Sequence, residues 1–115
     1  MGKWEKVSFC MTYTMSIITK IKELNYMETK KKIKKTMDEI RDFLIAKNEQ
    51  YGDSVMNPIG IFSDCNTDEA LRVRIDDKLN RLMQGNDSIE TDEDIVKDLI
   101  GYLVLLLITM REELI

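Results

Sequence analysis

The segment LIGYLVLLLITM, from Leu99 to Met110, constrains the fold of this chain more than any other part of the sequence. Its 12 residues are too few to cross a bilayer, which requires about 20. Before it, Thr91 and Asp94 have the spacing of a helix-starting capping box, with Asp in place of the usual Glu. The sequence therefore predicts a helix from about residue 92 to 113. A helix that is apolar on nearly every side must be buried all round, and a small chain does this most easily against a second subunit.

Two earlier segments have the spacing of amphipathic helices. The first covers about residues 28–50, and the second begins at Thr67 as its N-cap and ends near Met83, before the GND of residues 85–87. No long regular element is expected between them, in residues 53–66. The apolar stripes are formed by Ile33, Met37, Ile40 and Leu44 in the first helix, and by Leu71, Ile75, Leu79 and Leu82 in the second.

The first 27 residues give the weakest pattern. VSFCMTYTM is rich in β-branched and aromatic residues and could be extended, whereas SIITKIKEL could form a helical turn or two. We therefore expect residues 1–27 to form an N-terminal arm and residues 28–115 to form one domain. The predicted fold class is all-α: a small bundle of three main helices plus the arm, completed by oligomerisation as a homodimer or homotetramer.

Composition excludes several classes of function. The net charge of −4 disfavours direct nucleic-acid binding, which normally requires a basic surface. The chain has no histidine, which removes the commonest general base and zinc ligand. Cys10 and Cys65 match no metal or redox spacing; we expect two isolated thiols, with one disulfide between them as the alternative. No secretory leader is evident, so we expect a cytoplasmic protein with no membrane contact.

The middle helix presents one polar face formed by Arg74, Asp77, Lys78 and Arg81, at positions i, i+3, i+4 and i+7. Two interpretations stay open. The face could be a solvated surface with pairs such as Asp77 with Arg81, each worth a few tenths of a kcal/mol. Alternatively, it could be a phosphate clamp, since Arg and Lys on a rigid helix suit phosphate oxygens.

Acidic residues lie on one face of each of the other helices. The first helix and the turn after it carry Glu39, Asp42, Glu49 and Asp53, and the last helix carries Glu93, Asp94 and Asp98. Mg²⁺ takes oxygen ligands and commonly binds substrate phosphates at the same time. For the last helix, a solvated first turn that matches the helix dipole remains the alternative. Gly101 inside this helix costs roughly 1 kcal/mol relative to Ala, which predicts a close approach by a backbone or a ligand.

Three blocks in order resemble a known family: KNEQYGDS, RIDDKLNRL and EDIVKDLIGYLVLL. The family is the nucleotide modification associated family of phage and bacterial proteins (domain of unknown function 1599). It is similar to the MazG-like all-α nucleoside triphosphate pyrophosphohydrolases, and the resemblance covers about residues 30–110. The matching residues are Lys47, Tyr51, Gly52, Asp53 and Ser54, then Ile75, Asp77, Lys78 and Arg81, then Asp98, Leu99, Gly101 and Tyr102.

The resemblance implies an enzyme that uses Mg²⁺ (or Mn²⁺) to cleave a nucleoside triphosphate into the monophosphate and pyrophosphate. The implied metal ligands are Glu49, Asp53, Asp77, Asp94 and Asp98. Glu49, Asp53 and Asp98 would be catalytic. The implied phosphate or nucleotide contacts are Lys47, Tyr51, Ser54, Arg74, Lys78, Arg81 and Tyr102, with Tyr51 or Tyr102 stacking on the base.

The chain departs from the enzymes at two motifs. They typically have Glu-x-x-Glu on the first helix and Glu-x-x-Asp on the later one, whereas this chain has Glu39-x-x-Asp42 and Asp94-x-x-x-Asp98. Hydrolysis therefore stays open beside two alternatives. One is a non-catalytic protein that binds or sequesters a nucleotide. The other is a structural oligomerisation module whose polar faces are only solvated.

Overall fold

The computed structural model describes residues 3–85 and 88–113, with side chains from residue 14 to 112 within those ranges. It contains three helices, α1 (Lys3–Gln50), α2 (Thr67–Gln84) and α3 (Asp92–Glu113). The predicted all-α class is confirmed. The chain divides into two compact units, Met1–Asp38 and Glu39–Ile115. The domain boundary at residues 27 and 28 stays a prediction.

α1 begins at Lys3 and not near residue 28, so the interpretation of VSFCMTYTM as extended is wrong. No Gly or Pro interrupts the sequence from Lys3 to Gln50, and β-branched residues disfavour a helix by only about 0.7 kcal/mol each or less. In the first unit, every side chain from residue 14 to 38 is exposed. The side chain of Cys10 lies outside the described residues, and Cys65 is a free, exposed thiol.

The turn after α1 has the hydrogen bonds of a Schellman motif. The amide of Gly52 donates to the carbonyl of Glu49 at 3.1 Å, and the amide of Asp53 donates to the carbonyl of Asn48 at 3.0 Å. Gly52 has φ 60° and Asp53 has φ 58°, both in the left-handed region. The prediction that Gly52 stops the helix is confirmed, and residues 53–66 form turns and irregular chain.

The start of α2 is displaced by one residue from the prediction. Asn66, and not Thr67, is the N-cap, because its side chain accepts a hydrogen bond from the amide of Glu69 at 2.8 Å. α2 ends at Gln84, and its C-cap Gly85 has φ 67° as expected for a left-handed helix stop. The rest of the predicted GND stop, residues 86–87, lies outside the described residues.

The capping box of α3 is confirmed. The amide of Asp94 donates to Thr91 Oγ1 at 3.2 Å, and the amide of Thr91 donates to Asp94 Oδ2 at 3.2 Å. Asp in place of Glu still reaches back, and its carboxylate also accepts a hydrogen bond from the Thr91 hydroxyl at 2.9 Å.

The core of the second unit forms where α2 packs against α3. Leu71 is fully buried and Ile95 is 2% exposed. The end of α1 packs on α3, because a Cβ at Gly101 would lie 3.1 Å from Leu44 Cδ1. A close approach to Gly101 is therefore found, but the prediction that a backbone or a ligand makes it is wrong, because the neighbour is the Leu44 side chain.

α3 is not buried all round within one chain, contrary to the expectation from its apolar sequence. Leu103 is 52% exposed and Leu107 is 47% exposed. α2 and the end of α1 cover only part of the helix, so the remaining apolar side has no cover in the described part of the chain. Self-association stays a prediction. In the described residues, none of the helices has the length and apolarity that crossing a membrane demands.

Candidate anion-binding cleft

The carboxylate of Asp98 is held between two lysines that come from different helices. Lys47 Nζ of α1 lies 2.5 Å from Asp98 Oδ1, and Lys78 Nζ of α2 lies 2.9 Å from Asp98 Oδ2. Asp98 itself belongs to α3 and lies three residues before Gly101, on which Leu44 packs. The end of α1 therefore meets α2 and α3 at one carboxylate group.

Lys78 also binds a carboxylate in the loop before α3. Lys78 Nζ lies 2.5 Å from Glu90 Oε1, and Arg81 Nη1 lies 2.7 Å from Glu90 Oε2. We call these five residues, Lys47, Asp98, Lys78, Glu90 and Arg81, the ion-pair network. Its charges alternate in sign from one member to the next, so each carboxylate is bound by two cations.

Burial and hydrogen bonding act in opposite directions on the charges of the ion-pair network. The side chains of Lys78 and Asp98 are each 11% exposed. Burial opposes the charge on Asp98, but hydrogen bonds from Lys47 and Lys78 outweigh it and lower the pKa of Asp98. Burial also opposes the charge on Lys78, yet its bonds to Glu90 and Asp98 raise its pKa. Hydrogen bonds from Lys78 and Arg81 lower the pKa of Glu90. Asp98, Lys78 and Glu90 are therefore charged at neutral pH.

Beside the ion-pair network lies a cavity of about 420 Å³, which we call the cation cleft. Four cationic side chains and a single carboxylate line it, together with three aromatic rings. Its residues come from the end of α1, the turn after it, α2 and α3. They are Phe43, Leu44, Lys47, Asn48, Tyr51, Ser54, Val55, Arg74, Lys78, Lys97, Asp98, Gly101, Tyr102 and Leu105.

The cations of the cation cleft differ in how fully they are paired. Arg74 has no carboxylate partner in the part of the chain that the structure describes, and its guanidinium lies 5.9 Å from the centre of the Tyr102 ring. Lys97 pairs with Glu93 at 3.5 Å, a weak exposed contact. Lys47 lies 5.4 Å from the centre of the Phe43 ring. Arg74 is thus the cation that is most available to an incoming anion.

Six of the seven side chains predicted to contact phosphate or nucleotide line the cation cleft. They are Lys47, Tyr51, Ser54, Arg74, Lys78 and Tyr102. The seventh, Arg81, lies outside it and lines a neighbouring cavity with Glu90, Asp94 and Asp98. Arg81 hydrogen-bonds Glu90 and not Asp77, the partner that its helical spacing suggested, because the loop before α3 brings Glu90 closer.

The predicted metal ligands are not gathered into a cage within one chain. In the described residues, no group of three or more His, Cys, Asp or Glu side chains could hold a metal ion. Glu49 and Asp77 are exposed. The Asp94 carboxylate accepts the capping-box hydrogen bonds from Thr91, which lower its pKa.

The two remaining predicted ligands already bind other groups. Both oxygens of Asp98 face lysines, as described above. The carboxylate of Asp53 accepts hydrogen bonds from the side-chain amides of Asn48 at 3.3 Å and Asn57 at 2.7 Å. These donor sets do not fit an octahedral Mg²⁺ site, which takes free oxygen ligands. Mg²⁺ or Mn²⁺ binding stays a prediction without a site in the described part of one chain.

Sequence reasoning missed several members of the site. Glu90 carries no signal, because it lies in the loop before α3 and 12 residues from Lys78 along the chain. Phe43 lies one helical turn before Lys47, so an i,i+4 search along α1 could have found it. Lys97 adjoins Asp98 and could have been included with it. Asn48, Val55 and Leu105 have no pattern that separates them from other residues of their segments.

Comparisons with known proteins give no relative of this chain. No protein-family model matches it, and neither the curated proteins nor the solved structures contain a match. The resemblance of the three sequence blocks to the nucleotide modification associated family stays a prediction.

Proposed function

We propose that this chain binds a phosphorylated nucleotide in the cation cleft. The observation that carries the proposal is Arg74, a guanidinium without a carboxylate partner in the described residues, beside the Tyr102 ring. Arg presents several N–H donors in a planar fork that matches phosphate oxygens, and its hydrogen bonds to anions are stronger than neutral ones. A phosphate group is therefore the ligand that best suits this position.

The other side chains of the cation cleft support an anion that carries a planar ring. The lining has four cations against one carboxylate, which makes it attractive to anions although the whole chain has a net charge of −4. Phe43, Tyr51 and Tyr102 offer faces on which a base can stack, and such stacking is worth about 1–3 kcal/mol per base. The cavity of about 420 Å³ falls within the usual range for small-molecule sites.

Hydrolysis of a nucleoside triphosphate to the monophosphate and pyrophosphate, with Mg²⁺ or Mn²⁺, is the second candidate function. The observation that favours it is that Asp98, a predicted catalytic residue, lines the same cleft as six predicted phosphate contacts. Binding without turnover ranks first, because the Asp98 oxygens already face two ammonium groups. The expected place of action is the cytoplasm, which for a phage protein means that of the host.

We further propose that α3 pairs with α3 of a second copy of this chain, giving a homodimer or a larger homo-oligomer. Val96, Ile100, Leu103, Leu107 and Met110 follow one another at spacings of four and three residues, which is the seam of a helix pair. Except for Ile100, which is half-buried, their exposed fractions lie between 39% and 52%. An identical helix has the matching seam and covers these side chains on both copies.

The test is a thermal-shift panel of ribonucleoside and deoxyribonucleoside triphosphates, each with and without Mg²⁺, followed by analysis for pyrophosphate. A nucleotide at a hundred times its Kd adds about 2.7 kcal/mol of stability. We expect Arg74→Ala to lose most of this stabilisation. Arg72→Ala is the matched control, since Arg72 lies on the same helix, pairs with Asp68 and does not line the cation cleft.

Each outcome has a distinct meaning. Stabilisation without pyrophosphate supports the binding protein, and release of pyrophosphate moves the function to the hydrolase. The proposal fails if no nucleotide stabilises the wild-type chain, or if Arg74→Ala and Arg72→Ala respond to nucleotide as the wild type does. The structural oligomerisation module would then be the remaining interpretation.

A further inference from the structure

The carboxylate of Asp98 occupies the place in the cation cleft where an anionic ligand would find two ammonium groups together. Its Oδ1 lies 2.5 Å from Lys47 Nζ and its Oδ2 lies 2.9 Å from Lys78 Nζ. The side chain is 11% exposed, so the carboxylate is largely shielded from water. This arrangement is a complete anion-binding contact made by the protein with itself.

The two lysines differ in what they retain if Asp98 moves away. Lys78 keeps a second carboxylate, because its Nζ also lies 2.5 Å from Glu90 Oε1. In the described part of the chain, the carboxylate partner of Lys47 is Asp98. The side chain of Lys47 is 31% exposed, nearly three times as much as that of Lys78. Of the two lysines, Lys47 is therefore the one from which an anion from solution gains more, and the Asp98 carboxylate blocks that contact.

Resting on the proposed function, we propose that Asp98 is an internal competitor of the ligand, and that a phosphate group of the nucleotide binds by replacing the Asp98 carboxylate between Lys47 and Lys78. The ligand class is a terminal phosphate. Such a group carries roughly −1.5 to −2 charges at neutral pH and three acceptor oxygens, compared with one charge and two oxygens for the carboxylate. Two phosphate oxygens satisfy the lysines, and the third remains for Arg74, which lines the same cleft.

A competitor and a metal ligand at Asp98 predict opposite changes in ligand binding when the carboxylate is neutralised. A carboxylate that coordinates a metal or contacts the substrate weakens binding when it is neutralised. A carboxylate that competes with the phosphate strengthens binding when it is neutralised, because the lysines lose their internal anion and the cleft gains one positive charge. Asp98→Asn keeps the shape of the side chain and removes its charge, so it separates the two roles.

The experiment is isothermal titration calorimetry of inorganic tripolyphosphate, and of the nucleoside triphosphates of the panel, into the wild type, Asp98→Asn and Asp92→Asn, without divalent cations. We expect Asp98→Asn to lower the Kd for both kinds of probe on the order of tenfold. Asp92→Asn removes the same charge from the exposed first turn of α3, away from the cation cleft, and is expected to leave the Kd within about twofold. Unchanged or weaker binding by Asp98→Asn overturns the inference.

A second measurement uses the wild-type chain and does not depend on the stability of a variant. The carboxyl carbon of Asp98 gives a ¹³C signal that depends on its hydrogen bonds to the two lysines. We expect tripolyphosphate to shift this signal as the carboxylate is released. An unchanged signal at saturating tripolyphosphate overturns the exchange.

Failure of this inference differs from failure of the proposed function. If Arg74→Ala loses nucleotide binding but Asp98→Asn does not gain it, the nucleotide proposal stands and the competitor role is wrong. If neither the wild type nor Asp98→Asn binds nucleotide or tripolyphosphate, both proposals are wrong. If only Asp98→Asn binds, the competitor role is supported, but the proposal that the wild-type chain binds nucleotide is wrong.

Discussion

Leu44 of α1 packs on Gly101 of α3 so closely that a Cβ on the glycine would lie 3.1 Å from Leu44 Cδ1. Lys47 follows Leu44 by three residues on α1, and Asp98 precedes Gly101 by three residues on α3. Because both spacings correspond to nearly one helical turn, the packing of Leu44 on Gly101 sets the contact of Lys47 with Asp98. The absence of a side chain at Gly101 thus helps to determine the geometry of the cation cleft.

This relationship predicts different outcomes for two substitutions of Gly101. Alanine gains about 1 kcal/mol of helix propensity, which offsets the tight contact with the flexible end of Leu44, so Gly101→Ala is expected to be close to the wild type in stability. Leucine overfills the contact and is expected to cost about 1–3 kcal/mol and to weaken nucleotide binding. Urea denaturation and the thermal-shift panel measure both effects. A Gly101→Leu variant with wild-type stability and binding contradicts this packing.

The ion-pair network predicts a loss of stability in acid. The pKa values of Glu90 and Asp98 are lowered on folding from their ordinary values of 4.5 and 3.8. The folded state therefore binds protons less readily than the unfolded state, and the stabilisation is present above these ordinary values and lost as the pH falls through the lowered ones. We expect urea midpoints to be constant from neutral pH to about pH 5 and then to decrease.

The matched variants for this prediction are Glu90→Gln and Asp98→Asn, whose urea midpoints should fall less steeply in acid than those of the wild type. Lys78 makes the opposite contribution at the alkaline end. Its pKa is raised above 10.5, so its stabilisation is present below that value and lost as the pH rises through the raised pKa. Identical acid profiles for the wild type and both variants would show that the network does not couple to folding.

The apolar seam of α3 predicts self-association that a charge can block. Leu103 lies in the middle of the seam and is 52% exposed, so Leu103→Lys places an ammonium group where the second copy would pack. We expect sedimentation velocity to show an oligomer for the wild type and a monomer for Leu103→Lys. Glu112→Lys, at an exposed position near the end of the same helix, should keep the wild-type state. A monomeric wild type at all concentrations tested rejects the pairing.

The helix limits and caps that could be predicted depend on neighbours in sequence. Thr91 and Asp94 are three residues apart, and Gly52 stops α1 through hydrogen bonds to the turn just before it. Such contacts are set by local geometry, and the local pattern is sufficient to predict them. The displaced cap at Asn66 shows the limit, since Asn and Thr are both good caps and sequence does not choose between adjacent candidates.

The tertiary contacts could be predicted only in part. Spacing along α2 places Arg74 and Lys78 on one face, and that face does line the cation cleft. Spacing does not give the rotation of one helix against another, so it could not show that Asp98 would meet lysines instead of other carboxylates. Glu90 lies in a loop without periodicity, and its contacts depend on how α2 and α3 pack.

Asp53 has a left-handed backbone, with φ 58°, and this has a consequence for how the gene can change. Only Gly, Asn and Asp adopt such a backbone at low cost, and single-nucleotide changes convert an Asp codon into an Asn codon or a Gly codon. Drift at this position can therefore remove the carboxylate without straining the turn. The shape of the backbone alone therefore does not demand Asp at this position, whereas the hydrogen bonds from Asn48 and Asn57 do use its carboxylate.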